Sequence, residues 1–368
     1  MKKRFLVLPF VLVGLFAHAQ SALDSLMPVR GLAVAAPRAA AVDDFVTFID
    51  QELAPAHFNM LILRVEYNYA YESHPELRDE NHLTKADVKK LVDVCRQHNI
   101  ELIPLLDLLG HQSYRINVGN LLRVYPEFDE TPNIPMPSEW NYPNNPGGLI
   151  MKSYCPRHPD VHKVVFDLVD ELMDVFESDW FHAGMDEVFF LGHEDCPRCK
   201  GVDKAELFAE EVRNIHDHLA QRGGRMMIWG DRLIDGRSTG TGMWEGSMIS
   251  THRAIDMIPK DVFICDWHYD RADLTPVLFA AKGFDVAICP WRKEEVAATE
   301  FNDMLRFRQQ GAPVMGQHFT GVIQTVWNSA EQLMREYYNP NQNPNPNAES
   351  AATCLKRIMN EIKTLAQL

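Results

Sequence analysis

The sequence lacks three features that point to common classes of function. No G-x-G-x-x-G turn and no P-loop occurs, so the usual dinucleotide and nucleoside-triphosphate motifs are absent. Positive charge is scarce, since 36 Lys and Arg stand against 51 Asp and Glu and the formal net charge is −15. Because an acidic surface repels phosphate backbones, nucleic acid is not an expected partner. No apolar run beyond the amino-terminal segment is long enough to predict a membrane span.

The first residues have the pattern of a secretory signal peptide. A short basic stretch, Met1–Arg4, precedes the apolar run Phe5–Phe16, and Ala17–Ala19 fits the small-x-small cleavage rule. The run is too short for a membrane-spanning helix, and no Cys follows it to carry a lipid anchor. We therefore expect residues 1–19 to be a signal peptide and the protein to be exported, to the periplasm or the medium.

The chain contains seven cysteines, an odd number that leaves at least one outside any disulfide. Three of them lie in apolar helix or strand patterns and are expected to be inert core thiols. These are Cys95, Cys265 and Cys289. Cys155, Cys196 and Cys199 lie in predicted loops, and the last two form a C-x-x-C pair. That pair is compatible with a local disulfide, a redox pair or half of a zinc site, and export favours the disulfide or the metal.

The rest of the chain repeats one pattern, in which a short apolar run is followed by a loop and then by an amphipathic helix. The apolar runs are Gly31–Ala36, Asn59–Glu66, Ile100–Asp107, Trp180–Asp186, Arg225–Asp231, Val262–Trp267, Asp285–Pro290 and Gly321–Trp327. The helical patterns are Val42–Leu53, Lys85–His98, Val161–Phe176, Lys204–Arg222, Thr275–Lys282 and Glu294–Gln310, with a short one near His252–Met257. Runs without strict alternation indicate strands buried on both faces, as in parallel sheets. Eight such units predict an α/β fold, a closed (β/α)8 TIM barrel, since an open doubly wound sheet usually has fewer.

We expect a single catalytic domain with a C-terminal helical extension. The barrel would occupy residues 20–338, and residues 339–368 would form a polar linker and a helix that docks on the barrel wall. Leu108–Pro159 is a long insertion rich in Pro and Asn. Because it follows the third strand, it would cover the top face of the barrel.

Polar and aromatic side chains collect where the predicted strands end, which is where barrels of this kind carry their chemistry. These residues are Arg38, Tyr67, Asp107, His111, Asp186, Glu187, Trp229, Asp231, Trp267, His268, Trp291 and Trp327. The four Trp residues suit a sugar ring, whose axial C–H groups form an apolar patch. Each residue alone has a structural explanation, such as a barrel plug for a Trp or a core hydrogen bond for His182. Their coincidence at one face favours a site.

The adjacent carboxyl groups of Asp186 and Glu187 do not fit the usual pair of acids that flank a glycosidic bond. Neighbours on one strand point to opposite sides, so they cannot face each other across that bond. They suit a reaction in which a 2-acetamido sugar attacks its own anomeric carbon. One acid then protonates the leaving group, and the other carboxylate holds the amide.

The segment His182-Ala183-Gly184-Met185-Asp186-Glu187 resembles the His-x-Gly-x-Asp-Glu motif of glycoside hydrolase family 20, the β-N-acetylhexosaminidases. The resemblance extends to the stretches Gly31–Arg38, Ile100–His111, Met226–Asp231 and Gly321–Trp327. The chain departs from many members in three places. Ser329 replaces a sugar-binding Glu, Ala35 replaces an Asp, and Pro290-Trp291-Arg292 replaces a Tyr-x-Asp. These departures make the chain similar to the hexosaminidase D-like branch.

The resemblance implies an exo-acting hydrolase that removes terminal β-linked N-acetylhexosamine from carbohydrates, with retention, through an oxazolinium intermediate and without a cofactor or catalytic metal. It implies that Glu187 is the general acid and then the base, and that Asp186 orients the acetamido group. The implied substrate-binding residues are Arg38, Tyr67, His111, Trp229, Trp267, Trp291 and Trp327. The implied supporting residues are Asp107, His182 and Asp231.

Two other functions remain open from the sequence. A metal-dependent hydrolase on the same barrel could use His111, His182, Asp186 and His268 as ligands, although no H-x-H pair ends the first strand. An inactive barrel that binds N-acetylhexosamines without hydrolysing them is the second alternative.

Overall fold

A computed structural model describes residues 22–139, 152–340 and 349–367. Eight parallel strands close into a barrel in which each strand pairs with its neighbours in sequence and β1 pairs with β8. The strands are β1 Val29–Ala35, β2 Met60–Arg64, β3 Glu101–Leu108, β4 Trp180–Gly184, β5 Arg225–Trp229, β6 Phe263–Asp266, β7 Val286–Ile288 and β8 Phe319–Val326. The predicted (β/α)8 barrel is confirmed, and most predicted strands ran one or two residues too far at their C-terminal ends.

Helices surround the barrel, and most agree with the predicted helical patterns. The main helices are α1 Val42–Phe48, α2 Lys85–Gln97, α3 Val161–Phe176, α4 Lys204–Gln221, α5 Thr275–Ala281, α6 Glu294–Gln310, α7 Ala330–Tyr338 and α8 Ala351–Leu365. Shorter helical segments are Ala39–Ala41, Ile49–Leu53, Ala54–Ala56, Pro75–Leu77, Asn120–Val124, Pro126–Phe128, Asp231–Leu233, Thr251–Asp256 and Pro313–Gly316. Between β5 and β6 the chain forms only the two 3-10 helices Asp231–Leu233 and Thr251–Asp256, and the second agrees with the short pattern predicted in that stretch.

Local hydrogen bonds mark where two of these helices begin. Thr84 caps α2 through a reciprocal pair with Asp87, in which each side chain accepts the other residue's backbone N–H. Helix α7 was not predicted. It begins at Ser329, whose hydroxyl oxygen accepts the backbone N–H of Gln332 at 3.1 Å. Ser329 is therefore the N-cap of α7.

The strands are buried on both faces, which explains why their apolar residues do not alternate with polar ones. On β2, Ile62 belongs to the apolar cluster inside the barrel, whereas Leu61 and Leu63 belong to the cluster between the strands and the helices. All three side chains are fully buried. Truncating one of them to Ala would cost about 2–5 kcal/mol of stability, because the surrounding core relaxes only partly.

The C-terminal extension docks on the barrel as predicted. Helix α8 buries its apolar side, including Leu355, Ile358 and Ile362, and packs against α6, α7 and β8. Residues 1–19, the middle of the predicted insertion after β3 and most of the polar linker lie outside the described residues. The domain limits and the signal peptide therefore stay predictions. Among the helices in the described ranges, none is long and apolar enough to cross a membrane.

Candidate active site

A cleft of about 700 Å³ opens at the C-terminal ends of the strands. One side, which we call the acidic wall, comes from the C-terminal end of β3 and from the segments that follow β2, β3 and β4. It consists of Glu66, Asp107, His111, Asp186 and Glu187. The opposite side, which we call the aromatic wall, comes from the segments that follow β5 to β8. It consists of Trp244, Trp267, Tyr269, Trp291 and Trp327.

The backbone after β4 explains how two adjacent carboxyl groups reach one cleft. The strand ends at Gly184, and Gly184, Met185 and Glu187 then adopt left-handed φ angles of 66°, 71° and 49°. A Cβ atom at Gly184 would collide with the Asp107 carboxylate, so the motif requires glycine there. The argument that neighbours on a strand point to opposite sides was wrong here, because Asp186 and Glu187 lie beyond the strand and both line the cleft.

His111 joins the two carboxyl groups. Its Nε2 atom lies 3.1 Å from Asp186 Oδ2 and 3.3 Å from Glu187 Oε2. Burial opposes protonation of His111, but the charges and hydrogen bonds of the two acids outweigh it and raise its pKa well above the ordinary value. At neutral pH the ring is therefore a cation that donates from Nε2 to the acidic pair.

The second oxygen of Asp186 is available to a ligand. Asp186 Oδ1 is buried and has no hydrogen-bond partner in the described part of the chain. Burial raises the pKa of Asp186, His111 counteracts that shift, and the neighbouring Asp107 adds to it. The carboxylate therefore has one oxygen that is close to His111 Nε2 and one, Oδ1, that has no hydrogen bond from the described residues.

Asp231 holds the backbone of Glu187 through a hydrogen bond. Its Oδ2 accepts the backbone N–H of Glu187 at 3.0 Å and Arg232 Nε at 2.5 Å, and its Oδ1 accepts Trp267 Nε1 at 3.3 Å. The side chains of Asp231 and Arg232 are only 1% exposed. Asp231 thus links the acidic wall to the aromatic wall, and it does not line the cleft.

A second pair of acids, Glu66 and Asp107, completes the acidic wall. The Asp107 backbone N–H lies 3.4 Å from Glu66 Oε2. Burial and the nearby Asp107 charge raise the pKa of Glu66 well above its ordinary value. The wall therefore concentrates acidic groups that favour retention of a proton within it.

The aromatic wall is held together by ring contacts. The Tyr269 ring stacks on Trp267 with centroids 4.9 Å apart and meets Trp291 edge-on at 5.2 Å. Trp327 Nε1 donates a hydrogen bond to the Tyr269 hydroxyl at 2.7 Å. The Arg64 guanidinium lies over Trp327, 5.4 Å from the ring centroid. This surface offers flat apolar faces with a few polar edges, the kind of surface that a sugar ring contacts.

The sequence profile for "Glycosyl hydrolase family 20, catalytic domain" matches residues 64–293. The chain belongs to this family. It is 25% identical over 218 residues to a beta-hexosaminidase from Emericella nidulans, across 55% of this chain and 31% of that protein. It is 23% identical over 187 residues to hexosaminidase D from Bos taurus, across 48% of each chain. The chain thus spans less than half of the length of these curated relatives.

A solved structure shares the fold of this family 20 chain. The Flavobacterium johnsoniae chitobiase superposes with a TM-score of 0.59 at 16% identity, over 92% of this chain and 51% of that one. At this level of identity the superposition supports the barrel architecture, and the residues of the cleft have to be judged from their own geometry.

Two residues predicted to bind the sugar lie elsewhere in the family 20 barrel. Arg38 is exposed, does not line the cleft, and donates its backbone N–H to Glu331. Its place is taken by Arg64, which pairs in register with Ala35 and lines the cleft. Trp229 is 1% exposed and lies in the barrel interior beneath Trp327, with ring centroids 5.5 Å apart. Arg38 lies beyond the end of β1, next to the helical segment Ala39–Ala41, and Trp229 packs in the cluster inside the barrel, so the ends of the predicted strands did not reveal either position.

The other predicted residues lie at or below the cleft. Tyr67, His111, Trp267, Trp291 and Trp327 line it. His182 lies beneath it and is fully buried, with its Nδ1 accepting the backbone N–H of Gly184 at 3.1 Å. Burial lowers the pKa of His182 to about 3, so its ring is neutral. The cleft residues that the prediction missed include Arg64, Glu66, Tyr114, Trp244 and Tyr269, together with residues 117–120 and Ser113. Glu66 and Arg64 end the second apolar run, which was the available signal.

The proposed ligand set for a metal-dependent hydrolase is not assembled. His268 Nδ1 lies 2.8 Å from Glu245 and its Nε2 lies 2.6 Å from the Thr275 hydroxyl. Residues of the described ranges form two groups with metal-ligand spacing. They are Glu245–His268–Asp273 and Glu130–Cys155–Cys196–Cys199. Neither contains His111, His182 or Asp186, so the geometry of the cleft favours acid–base chemistry by its carboxyl groups.

Proposed function

We propose that the protein is an exo-acting β-N-acetylhexosaminidase that works by a retaining, substrate-assisted reaction. The observation that carries the proposal is the position of Asp186 and Glu187 on the same side of one cleft, joined by His111. Two acids placed in this way cannot stand on opposite faces of the anomeric carbon. The nucleophile must then come from the substrate, and a 2-acetamido group supplies one. The family membership of residues 64–293 supports the same reaction.

Asp186 is proposed to hold the acetamido group. Its buried, unpartnered Oδ1 can accept the amide N–H of the sugar, while Oδ2 remains bound to His111. This hydrogen bond orients the carbonyl oxygen toward the anomeric carbon. As that oxygen attacks, positive charge develops on the amide, and the adjacent carboxylate stabilises the oxazolinium ion more strongly than the neutral substrate.

Glu187 is proposed to manage the proton. It donates its proton to the glycosidic oxygen as the anomeric C–O bond breaks and the leaving alcohol departs. The resulting carboxylate then accepts a proton from water, which attacks the anomeric carbon and opens the oxazolinium ring. The acetamido group is restored and the sugar leaves with its original anomeric configuration. Asp231 positions Glu187 through the backbone N–H of that residue.

The aromatic wall is proposed to bind the sugar ring. Trp267, Trp291 and Trp327 line the cleft on the side opposite the acids, and Arg64 provides a cation beside Trp327. A cleft of about 700 Å³ is compact, which favours a terminal sugar residue over a long internal stretch of polysaccharide. The pattern at residues 1–19 supports export, so the substrate would be met outside the cytoplasm.

A panel of aryl glycosides tests the proposal. We expect hydrolysis of aryl N-acetyl-β-glucosaminide or N-acetyl-β-galactosaminide, and no comparable hydrolysis of the matched β-glucoside or of the glucosaminide without its acetyl group. A thiazoline that mimics the oxazoline intermediate should inhibit competitively. Equal cleavage of substrates with and without the acetamido group would contradict the mechanism. Tight thiazoline binding without hydrolysis would instead show an inactive sugar-binding barrel.

A further inference from the structure

Three thiols and one carboxyl group meet outside the cleft. Cys155 and Glu130 belong to the segment between β3 and α3, whereas Cys196 and Cys199 belong to the segment between β4 and α4. All four side chains are buried, with exposures of 0–1%. Their potential ligand atoms all lie within 4.8 Å of one another. None of the four lines the cleft, so the proposed hydrolysis does not account for them.

The distances between the sulfur atoms suit a shared metal ion. Cys155 Sγ lies 3.4 Å from Cys196 Sγ and 3.5 Å from Cys199 Sγ. A tetrahedral zinc ion with Zn–S bonds of about 2.3 Å separates its sulfur ligands by about 3.8 Å. The cluster needs only small adjustments to reach that geometry. The sequence left a disulfide, a redox pair and a metal site open for Cys196 and Cys199, and in the structure all seven cysteines are free thiols.

Glu130 is buried, but only one of its two carboxylate oxygens has a hydrogen-bond partner in the described residues. Its Oε1 accepts the backbone N–H of His193 at 3.1 Å, but its Oε2 is buried and has no hydrogen-bond partner among residues that the structure describes. The nearby Lys152 ammonium donates instead to Asp129 and Thr131. An unpaired buried carboxylate is costly, and a bound divalent cation would remove that cost.

We propose that Cys155, Cys196, Cys199 and Glu130 bind one structural zinc ion. Three thiolates and a carboxylate make a closed set of four ligands, which is typical of structural rather than catalytic zinc. The ion would cross-link the segments that follow β3 and β4. Those segments carry His111 and the Asp186–Glu187 pair, so the zinc would anchor two of the segments that contribute to the acidic wall.

Elemental analysis of the purified full-length protein tests the site. We expect about one zinc per chain in the wild-type protein and in Cys354→Ser, a control that changes a fully buried cysteine of α8. Cys199→Ser should lose the zinc. Glu130→Gln keeps the shape of the side chain but removes its charge, and should release zinc to a competing chelator at a chelator concentration at least tenfold lower.

Cobalt provides a readout that does not need activity. The wild-type protein, freed of metal under reducing conditions and loaded with Co²⁺, should show the strong visible bands of tetrahedral cobalt with thiolate charge-transfer absorption. If Cys199→Ser does not fold, the wild-type protein alone decides the question. Chelation should lower its thermal midpoint, and Zn²⁺ should restore it.

Two results would overturn the proposal. One is a reduced, metal-free wild-type protein that binds neither Zn²⁺ nor Co²⁺. The other is a wild-type protein that is isolated without metal and with two of the three cysteines joined in a disulfide. The metal content is measured independently of hydrolysis, so the failure of the proposed hydrolase reaction would leave this test unaffected.

Discussion

The two walls of the cleft are built in different ways. In the acidic wall, Glu66, His111 and Glu187 have left-handed φ angles of 49°, 56° and 49°. In the aromatic wall, Trp267, Tyr269, Trp291 and Trp327 all have negative φ angles and are positioned by ring contacts. Left-handed backbone costs of order 1 kcal/mol per residue or more, and it persists where the surroundings enforce it. The acidic wall, with its strained backbone, places charged atoms within hydrogen-bond distance of one another. The aromatic wall, with its relaxed backbone, provides apolar contact area.

This difference predicts a division of labour. Changes in the acidic wall should lower kcat, because its hydrogen bonds act on atoms that change charge during the reaction. Changes in the aromatic wall should mainly raise KM, because ring contacts are similar in the ground state and in the transition state. The following substitutions probe that division, beginning with the largest expected effect.

Glu187→Gln should have the largest effect. The substitution keeps the size of the side chain and removes the proton that the leaving oxygen needs, so kcat on an alkyl N-acetylglucosaminide should fall about 10²–10⁴-fold. An aryl substrate with a strongly acidic leaving group should be affected less, because its departure needs less protonation. Steady-state kinetics on both substrates, with thermal unfolding as the control for folding, provide the check. Near-normal turnover of both the alkyl and the aryl substrate would show that Glu187 is not the general acid.

Asp186→Asn should lower kcat about 10²–10³-fold on acetamido substrates, because the charge that stabilises the oxazolinium ion is lost. The loss should not depend on the leaving group, since Asp186 does not touch the departing oxygen. The dependence of kcat on leaving-group pKa should therefore remain that of the wild-type protein, in contrast to Glu187→Gln. If kcat depended on leaving-group pKa in the same way in Asp186→Asn and Glu187→Gln, the two residues could not be assigned different roles, and the proposed mechanism would be contradicted.

His182 lies beneath the cleft and contributes to the packing under both walls. The centroid of its ring, on β4, lies 4.4 Å from that of Trp229 on β5. Burial lowers the pKa of His182 from 6.5 to about 3. Between these values the unfolded chain binds a proton that the folded chain does not bind, so the free energy of unfolding falls as the pH is lowered. From pH 7 to pH 4 this residue alone should cost roughly 3 kcal/mol.

The matched variant is His182→Asn, which keeps a short polar acceptor and does not titrate. Urea unfolding at pH 7 and pH 4 measures the loss of stability in each protein. The loss should be smaller in His182→Asn by about the amount contributed by the imidazole. Equal losses in the two proteins would show that the buried ring is protonated in the folded state.

Trp291→Ala should have the smallest effect. Removal of one ring from the aromatic wall should raise KM about 2–10-fold and leave kcat nearly unchanged, since an aromatic contact contributes about 0.5–1.5 kcal/mol. Trp180→Ala is the matched control. That indole is also half-buried but lies at the N-terminal end of β4, beneath Arg225, so KM should not change. A large fall in kcat for Trp291→Ala would contradict the expectation that the aromatic wall acts mainly on KM.

Local sequence patterns were sufficient where the cause of structure is local. The eight apolar runs predicted eight parallel strands, because residues buried on both faces leave no alternation. Thr84 and Asp87 marked the start of α2, because a capping box involves only neighbouring residues. The His-x-Gly-x-Asp-Glu segment located the centre of the cleft, because its glycine is required by a turn within the motif.

Long-range packing decided the rest. Arg64 rather than Arg38 reaches the cleft, because the path of the chain after β1 depends on how α1 packs. Trp229 is buried and Tyr269 is not fully buried, because Trp229 ends β5 inside the barrel whereas Tyr269 lies in the segment beyond β6. The common direction of Asp186 and Glu187 depends on left-handed φ angles that neighbouring segments impose.

The sequence by itself determined the fold class, the family and the pair of acids at the centre of the cleft. Only the tertiary structure decided which cation and which rings stand around that pair, and that Cys155 meets Cys196 and Cys199, which are more than 40 positions away. The physical reason is the range of the interactions. Burial periodicity and turn chemistry act between near neighbours in the chain, whereas the composition of a site is set by contacts between segments that only the closed barrel brings together.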